Sequence, residues 1–295
     1  MSMHRLGELA DRMFNTPLAI HPRKCAIIVA SLADRLGITN IIYTDGRDVR
    51  AGFYDDEDDD EFRKPAKDKG YDIIPGSGIA VIPVRGTLVQ RSSSLRPYSG
   101  MMGYNSINQM LATALMDPEV KAIALDVDSP GGEVAGCFDL VDRIYSARGK
   151  KPIWAILSEH AYSAAYAIAS ACDRVIVPRT GGTGSVGVVT MHVDMSKALE
   201  NDGFKVTFLT FGAQKADANQ YEPLPAAVAE RIQRDIDKMG ELFVATVARN
   251  RKLSAANVRA TEAGCFMGED GVKAGLADAV MSPEAAFQLL YAELN

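Results

Sequence analysis

Four cysteines, Cys25, Cys137, Cys172 and Cys265, stand far apart in 295 residues and share no CxxC or Cys/His pattern. That spacing excludes a zinc site or a disulfide framework as the organising device, so no metal is expected, and it fits a reducing cytosol. Long apolar runs are missing too. Stretches such as Ala26 to Ala30 fall far short of the roughly 20 residues that a membrane-spanning helix needs. Near the start, Arg5, Glu8, Asp11 and Arg12 stand where a signal peptide would have its apolar core. A soluble, non-exported protein with no membrane anchor is expected. There is no basic stripe either. A formal net charge of −6 argues against a general nucleic-acid binder, because phosphate recognition needs clustered Lys and Arg.

What is present is apolar residue enough for a substantial core: 47% of the chain is hydrophobic, which suits one large domain, or a medium one with an appendage. Residues 23–36 place Ile27, Ile28, Ala30, Leu32 and Leu36 at helical spacing, predicting an amphipathic helix within an N-terminal segment, 1–42. From 43 to 75 the chain turns charged, with the run Asp55, Asp56, Glu57, Asp58, Asp59, Asp60 followed by Arg63, Lys64, Lys67 and Lys69. Like charges at that density repel, and a solvated linker is expected, with a docking or inhibitory arm as the lesser reading.

Residues 76–295 alternate apolar strand-like runs with helical patterns, the mark of an α/β domain with mainly parallel pairing and functional loops at strand ends. Strands are predicted at 79–84, 122–127, 153–157, 175–177, 186–190 and 206–211. Helices are predicted at 105–115, 133–147, 163–171, 194–201 and 225–251, with two short ones after them. No internal repeat is visible.

Three segments can carry chemistry. In the first, an apolar strand runs into Ser158, Glu159, His160, Ala161, Tyr162 and then Ser163, which opens a helix with Ala164 and Ala165. A serine there has an exposed hydroxyl beside the free N–H groups of a first turn, where developing negative charge is stabilised. An ordinary N-cap serine occupies the same place. The second, Asp128, Ser129, Pro130, Gly131, Gly132, Glu133, pairs glycines whose N–H groups are unobstructed, as an oxyanion-binding turn requires; an ordinary tight turn looks similar. The third is Phe211, Gly212, Ala213, Gln214, Lys215, Ala216, Asp217, where a lysine follows an apolar strand and sits among small residues. A lysine acts as a base only where burial disfavours its ammonium form, and most lone lysines are simply solvated.

Taken together, the pieces DVDSPGG (126–132), AYSAAYA (161–167), GTGSVGVV (182–189), GAQK (212–215) and FMGEDGVKAGLAD (266–278) resemble, in order, the signal peptide peptidase A family of serine peptidases. Within it they resemble the phage branch of prohead or capsid maturation proteases. The resemblance spans roughly residues 76–280. It implies a Clp/crotonase-like α/β core of stacked, mainly parallel sheets with surrounding helices, and an endopeptidase that needs no cofactor. It implies Ser163 as nucleophile and Lys215 as general base. Backbone N–H groups of Gly131 or Gly132 and of Ala164 would supply the oxyanion hole; Ser185 could orient Lys215, although packing or turn formation is its commoner role. Two glycines often follow the family serine; Ala164 and Ala165 stand here instead. A homo-oligomeric ring is implied as well, with 225–251 and the last helices either as assembly surfaces or, equally, as amphipathic core helices, and so are scaffold, portal or capsid proteins as substrates, cut within a procapsid in the host cytoplasm.

The rivals use the same fold. A Clp-like Ser-His-Asp protease would take His192 as base, with Asp194 too near in sequence to be assumed its partner, and His160 is a further candidate. A crotonase-like acyl-thioester enzyme or a non-catalytic assembly scaffold would require neither Ser163 nor Lys215.

Overall fold

The computed structural model describes residues 14, 16–36, 69–92 and 100–295. The acidic run 55–60 lies outside the described residues.

Strand periodicity builds the centre of the molecule. β3 (Ile79–Arg85), β6 (Ala122–Ser129) and β8 (Ile153–Tyr162) pair in parallel, with Ile82 opposite Leu125 and Leu125 opposite Ala155. Their side chains alternate between two faces. Ile82, Val84, Ile123, Leu125, Val127, Ile153 and Leu157 face one core; Ile79, Ala122, Ala124, Trp154 and Ile156 face another. α2 (Tyr104–Met116), α3 (Cys137–Ala147), α4 (Ala164–Ser170) and the end of α6 (Ala226–Arg251) cover the first face through Ile107, Met110, Leu140, Ile144, Ile168 and Phe243. α9 (Pro283–Glu293) covers the second through Ala286 and Leu290. Each such aliphatic or aromatic side chain contributes about 1.5–3 kcal/mol when fully buried.

Two sheets result. One has eight strands, in the order β11-β10-β8-β6-β3-β2, where β2 is Asp72–Ile73, β10 is Gly182–Gly184 and β11 is Cys265–Met267. β9 (Arg174–Val177) joins it on β8, and β12 (Ala279–Val280) on β9. The other has four, in the order β1-β7-β4-β5: β1 (Leu18–Ile20), β7 (Gly131–Glu133), β4 (Thr87–Val89) and β5 (Met101–Gly103). Seven pairings are parallel and three antiparallel. This is the mainly parallel, stacked α/β architecture that the sequence implied. β1 and α1 (Pro22–Leu36) come from the N-terminal segment, and β1 is a full member of the second sheet.

Four segments depart from expectation. The strand predicted at 153–157 continues to Tyr162, because residues 160–162 pair with β10. The helix predicted from 133 starts at Cys137, because residues 131–133 pair as β7 and Gly136, at φ +80°, interrupts the helical path. Residues 186–190 form only an isolated bridge between Val189 and Leu18, and residues 206–211 form no strand. Both runs have strand-like composition, but a strand exists only where a neighbour offers backbone partners. Among the described residues none pairs with 206–211, and Leu209 and Phe211 are fully exposed.

Candidate active site

β8 bends to serve two neighbours. Its first half pairs with β9 (Ile156 opposite Ile176) and its last three residues pair with β10 (Tyr162 opposite Gly184). The chain then turns sharply into α4, and Ser163 is the residue at the turn.

Three serines precede helices here, and comparing them separates an ordinary cap from something else. Ser254, before α7 (Ala255–Arg259), and Ser282, before α9, have φ of −72° and −68°, and their hydroxyls accept the N–H of Asn257 and Ala285. Ser163 has φ +55° and ψ −120° and makes no capping hydrogen bond. A non-glycine residue in that region is strained by roughly 1–3 kcal/mol and is held there by its surroundings. The holding contacts are specific: the Ser163 N–H donates to the Gly184 carbonyl at 2.8 Å, and the Ala167 N–H donates to the Ser163 carbonyl at 2.9 Å. The hydroxyl points away from its own helix toward the Gly187 carbonyl, 3.5 Å distant. A serine on a strained strand-to-helix turn is the arrangement that frees an oxygen for nucleophilic attack.

α4 is anchored at its far end. All seven of its residues are buried. Arg148 donates to the carbonyls of Ala171 (2.7 Å), Ser170 (3.0 Å) and Cys172 (2.5 Å), which satisfies the orphan acceptors and opposes the negative end of the helix dipole. The segment FMGEDGVKAGLAD adds two fastenings: the Tyr166 hydroxyl donates to the Leu276 carbonyl at 2.9 Å, and the Asp278 carboxylate accepts the Val175 N–H and pairs with Arg251. Burial works against ionisation of Asp278, yet Arg251 and the Val175 N–H outweigh it and hold the carboxyl below its usual range.

The glycine turn lies directly against Ser163. A Cβ on Gly131 would come within 2.2 Å of the Ala19 carbonyl, 2.9 Å of the Tyr162 carbonyl and 3.0 Å of the Ala164 nitrogen, and Gly131 has φ +97°. Gly132 is more constrained still, since a Cβ there would stand 1.8 Å from the Leu88 carbonyl oxygen. Ser129 braces the turn: its hydroxyl donates to the Gly86 carbonyl at 2.6 Å and accepts the Gly131 N–H at 3.2 Å. The Ala164 N–H, first in α4, has no acceptor within the helix. Gly131, Gly132, Ser163 and Ala164 therefore converge.

Ser185 is close by, at φ +55°, with its N–H on the Gly264 carbonyl at 2.8 Å. Its hydroxyl hydrogen-bonds the Cys265 thiol, which burial raises above the ordinary range against that bond. Burial also pushes Cys137 up to about 12 and raises Cys172, so these thiols stay protonated at neutral pH and are poor nucleophiles.

Lys215 is elsewhere in character. It sits exposed in the irregular stretch after 206–211, its N–H on the Gly212 carbonyl at 3.1 Å. Among the described residues no hydrogen bond or ion pair joins Lys215 to Ser163. The loop is tied to α6 by the Asp217–Arg231 ion pair. Of the histidines, His192 is half-buried with Asp194 near it, and His160 stacks on Tyr162 with Nδ1 3.6 Å from an Asp128 carboxylate oxygen. Sequence reasoning missed two contributors, Arg148 and β1. An arginine among charged neighbours carries no signal of its role, and three apolar residues after Pro17 are too few to read as a strand.

The fold and this turn define an α/β protein with an uncapped serine on a strained strand-to-helix turn beside a braced glycine turn. The chain belongs to peptidase family S49, whose model matches residues 146–295. It is 37% identical over 98% of its length to the head-tail preconnector protein GP5 of Enterobacteria phage P21, covering 58% of that protein. It is also 37% identical over 98% of its length to the capsid assembly protease C of Escherichia phage lambda, covering 66%. A more distant relative is protease 4 of Haemophilus influenzae, 28% identical over 69% of this chain and 33% of that one. The chain thus spans about three-fifths to two-thirds of the length of the two phage relatives. Among the described residues no helix is long and apolar enough to cross a membrane.

Proposed function

We propose that the chain is a serine endopeptidase of phage head maturation, with Ser163 as nucleophile and Lys215 as general base. The observation that carries this reading is the strained, uncapped Ser163 against the Gly131 turn and the Ala164 N–H. Family membership and the two phage relatives support the substrate class: scaffold, portal or capsid proteins, cut inside a procapsid in the host cytoplasm.

In this mechanism the neutral amine of Lys215 takes the Ser163 proton and the oxygen attacks the peptide carbonyl carbon. The tetrahedral oxyanion is held by backbone N–H groups of Ala164 and the Gly131–Gly132 turn. Lys215 then gives the proton to the departing amine, and water, deprotonated in turn by Lys215, hydrolyses the acyl-serine to a free carboxylate and regenerates the enzyme. A single oxyanion donor is typically worth about 3–4 kcal/mol of transition-state stabilisation.

A base works best out of water, and Lys215 is exposed in one chain. The reading therefore takes the active form to be a homo-oligomer, in which another copy covers the 204–215 stretch. Exposed Phe204, Leu209 and Phe211 beside Lys215 support it, since such apolar surface is normally covered by a partner. Ser185 would then orient the amine.

The test is incubation of the protein, Ser163→Ala and Lys215→Ala with the scaffold, portal and capsid proteins encoded alongside it, read by intact mass. Both variants should lose at least a thousandfold in cleavage rate while their oligomeric state and melting temperature stay unchanged. Activity surviving Lys215→Ala but lost in His192→Ala would replace the dyad by a histidine-based site. Unchanged processing in Ser163→Ala would reject the peptidase reading.

A further inference from the structure

β1 occupies a notable place. It pairs antiparallel with β7, the strand of the glycine turn, in the register Leu18–Glu133, Ala19–Gly132, Ile20–Gly131. Its other edge bonds to residue 189: the Leu18 N–H donates to the Val189 carbonyl at 2.8 Å, and the Val189 N–H donates back at 2.9 Å. Two residues before Val189 is the Gly187 carbonyl that faces the Ser163 hydroxyl. The three residues thus lie extended between the two walls that also flank the nucleophile.

The hydrogen-bond pattern sharpens this. The His21 N–H donates to the Pro130 carbonyl at 2.7 Å, and the Val134 N–H donates to the Pro17 carbonyl at 3.2 Å. Bonded rungs alternate along an antiparallel ladder, so the Ala19–Gly132 rung between them is bonded too. The Gly132 N–H is then spent on the Ala19 carbonyl, and that carbonyl and the Ala164 nitrogen both border the space that a Gly131 side chain would fill. A peptide carbonyl of the chain itself thus occupies one of the donors proposed for substrate, the Gly132 N–H. The side chains are buried as a bound peptide's would be. Ala19 turns inward to the main core, while Leu18 and Ile20 turn outward against Cys25 and Val29 of α1.

We propose that β1 is a resident pseudosubstrate: residues 18–20 fill the peptide cleft beside Ser163 and must leave it before a substrate segment can pair with β7. This rests on Ser163 being the nucleophile. The substrate segment that replaces β1 is extended, pairs through its main chain, and carries a small side chain at the inward position of Ala19.

A reversible lock tests the proposal. Leu18 and Val189 form a bonded antiparallel pair, whose Cα separation, about 5.5 Å, falls within disulfide reach. The full chain carrying Leu18→Cys and Val189→Cys in a Cys25→Ala background, which removes the neighbouring thiol, is oxidised, and closure is verified by intact mass. Cleavage of fluorescently labelled casein is then followed with and without reductant, beside the Cys25→Ala parent and its Ser163→Ala derivative. The expected result is a loss of tenfold or more on oxidation, restored by reductant and absent in the parent. A smaller loss in the locked protein, with the parent active and its Ser163→Ala derivative dead, overturns the pseudosubstrate while leaving the peptidase reading intact. No Ser163-dependent cleavage in the parent under either condition defeats the peptidase reading, and this proposal with it.

Discussion

The two halves of the proposed dyad are built in opposite ways. Ser163 is held by a wholly buried helix, a bent strand, a braced glycine turn and the carbonyl contacts of Arg148. Lys215 is carried by a stretch, 202–215, whose residues are almost all exposed and which has no sheet partner among the described residues. Interior packing can strain one side chain because hundreds of contacts oppose its relaxation, whereas a loop without partners cannot place an amine to a fraction of an ångström. One half is therefore packed within a single fold, and under the proposed reading the other is placed by a second copy.

That contrast can be broken most severely at the glycine turn. Gly132→Ala drives a Cβ into the Leu88 carbonyl, a backbone atom that cannot swing aside. It should cost more than about 3 kcal/mol, because overpacking against main chain has no cheap relaxation. Chemical denaturation reads the loss, and a variant as stable as the parent would show that β7 moves freely. Next in size is Arg148→Ala, which strands the carbonyls of residues 170–172. A loss of about 2–3 kcal/mol is expected from bonds to a charged donor, with cleavage falling in parallel as α4 loosens.

On the other side, Phe211→Ser with Leu209→Ser should leave single-chain stability within about 0.5 kcal/mol, because neither side chain is packed. The same pair should shift sedimentation toward monomer and reduce activity at least tenfold. Unaltered assembly and activity would mean that Lys215 is placed by some other surface, or not used.

The smallest effect concerns His21, which follows β1, lies against the Tyr162 ring at a tilt of 33° and shares a cavity of about 560 Å³ with Arg23, Arg85, Asp128 and His160. Burial first, then the charges of Arg23 and His160, hold its imidazole below the usual histidine range. A lowered folded value means that its contribution is whole above the unfolded value of about 6.5 and is lost as pH falls through the folded one. Amide exchange at Ala19 and His21 should therefore quicken on going from neutral to pH 5, after correction for intrinsic rates. His21→Phe should abolish the change, and an equal acceleration in that variant would assign it to other groups.

Much of this was legible in the residues. Alternating apolar runs predicted β3 and β9 nearly to their ends, β6 but for two residues, and only the first half of β8, since a sheet buried on both faces is apolar at successive positions and residues 158–160 of β8 are polar. The serine, the paired glycines and the lysine stood out through neighbours that are small or that lack side chains. Pattern reading failed where a segment's state depends on what lies beside it: 206–211 looks like a strand and has no partner, while residues 18–20 are too short to signal one and find two.

Chemistry and order along the chain were thus written locally: which groups can react, and which segments are apolar enough to pack. Strain at Ser163, the occupant of its cleft and the isolation of Lys215 arise from contacts between residues distant in sequence. Backbone groups satisfy one another across such distances only after the chain has folded, and no local pattern encodes the partner.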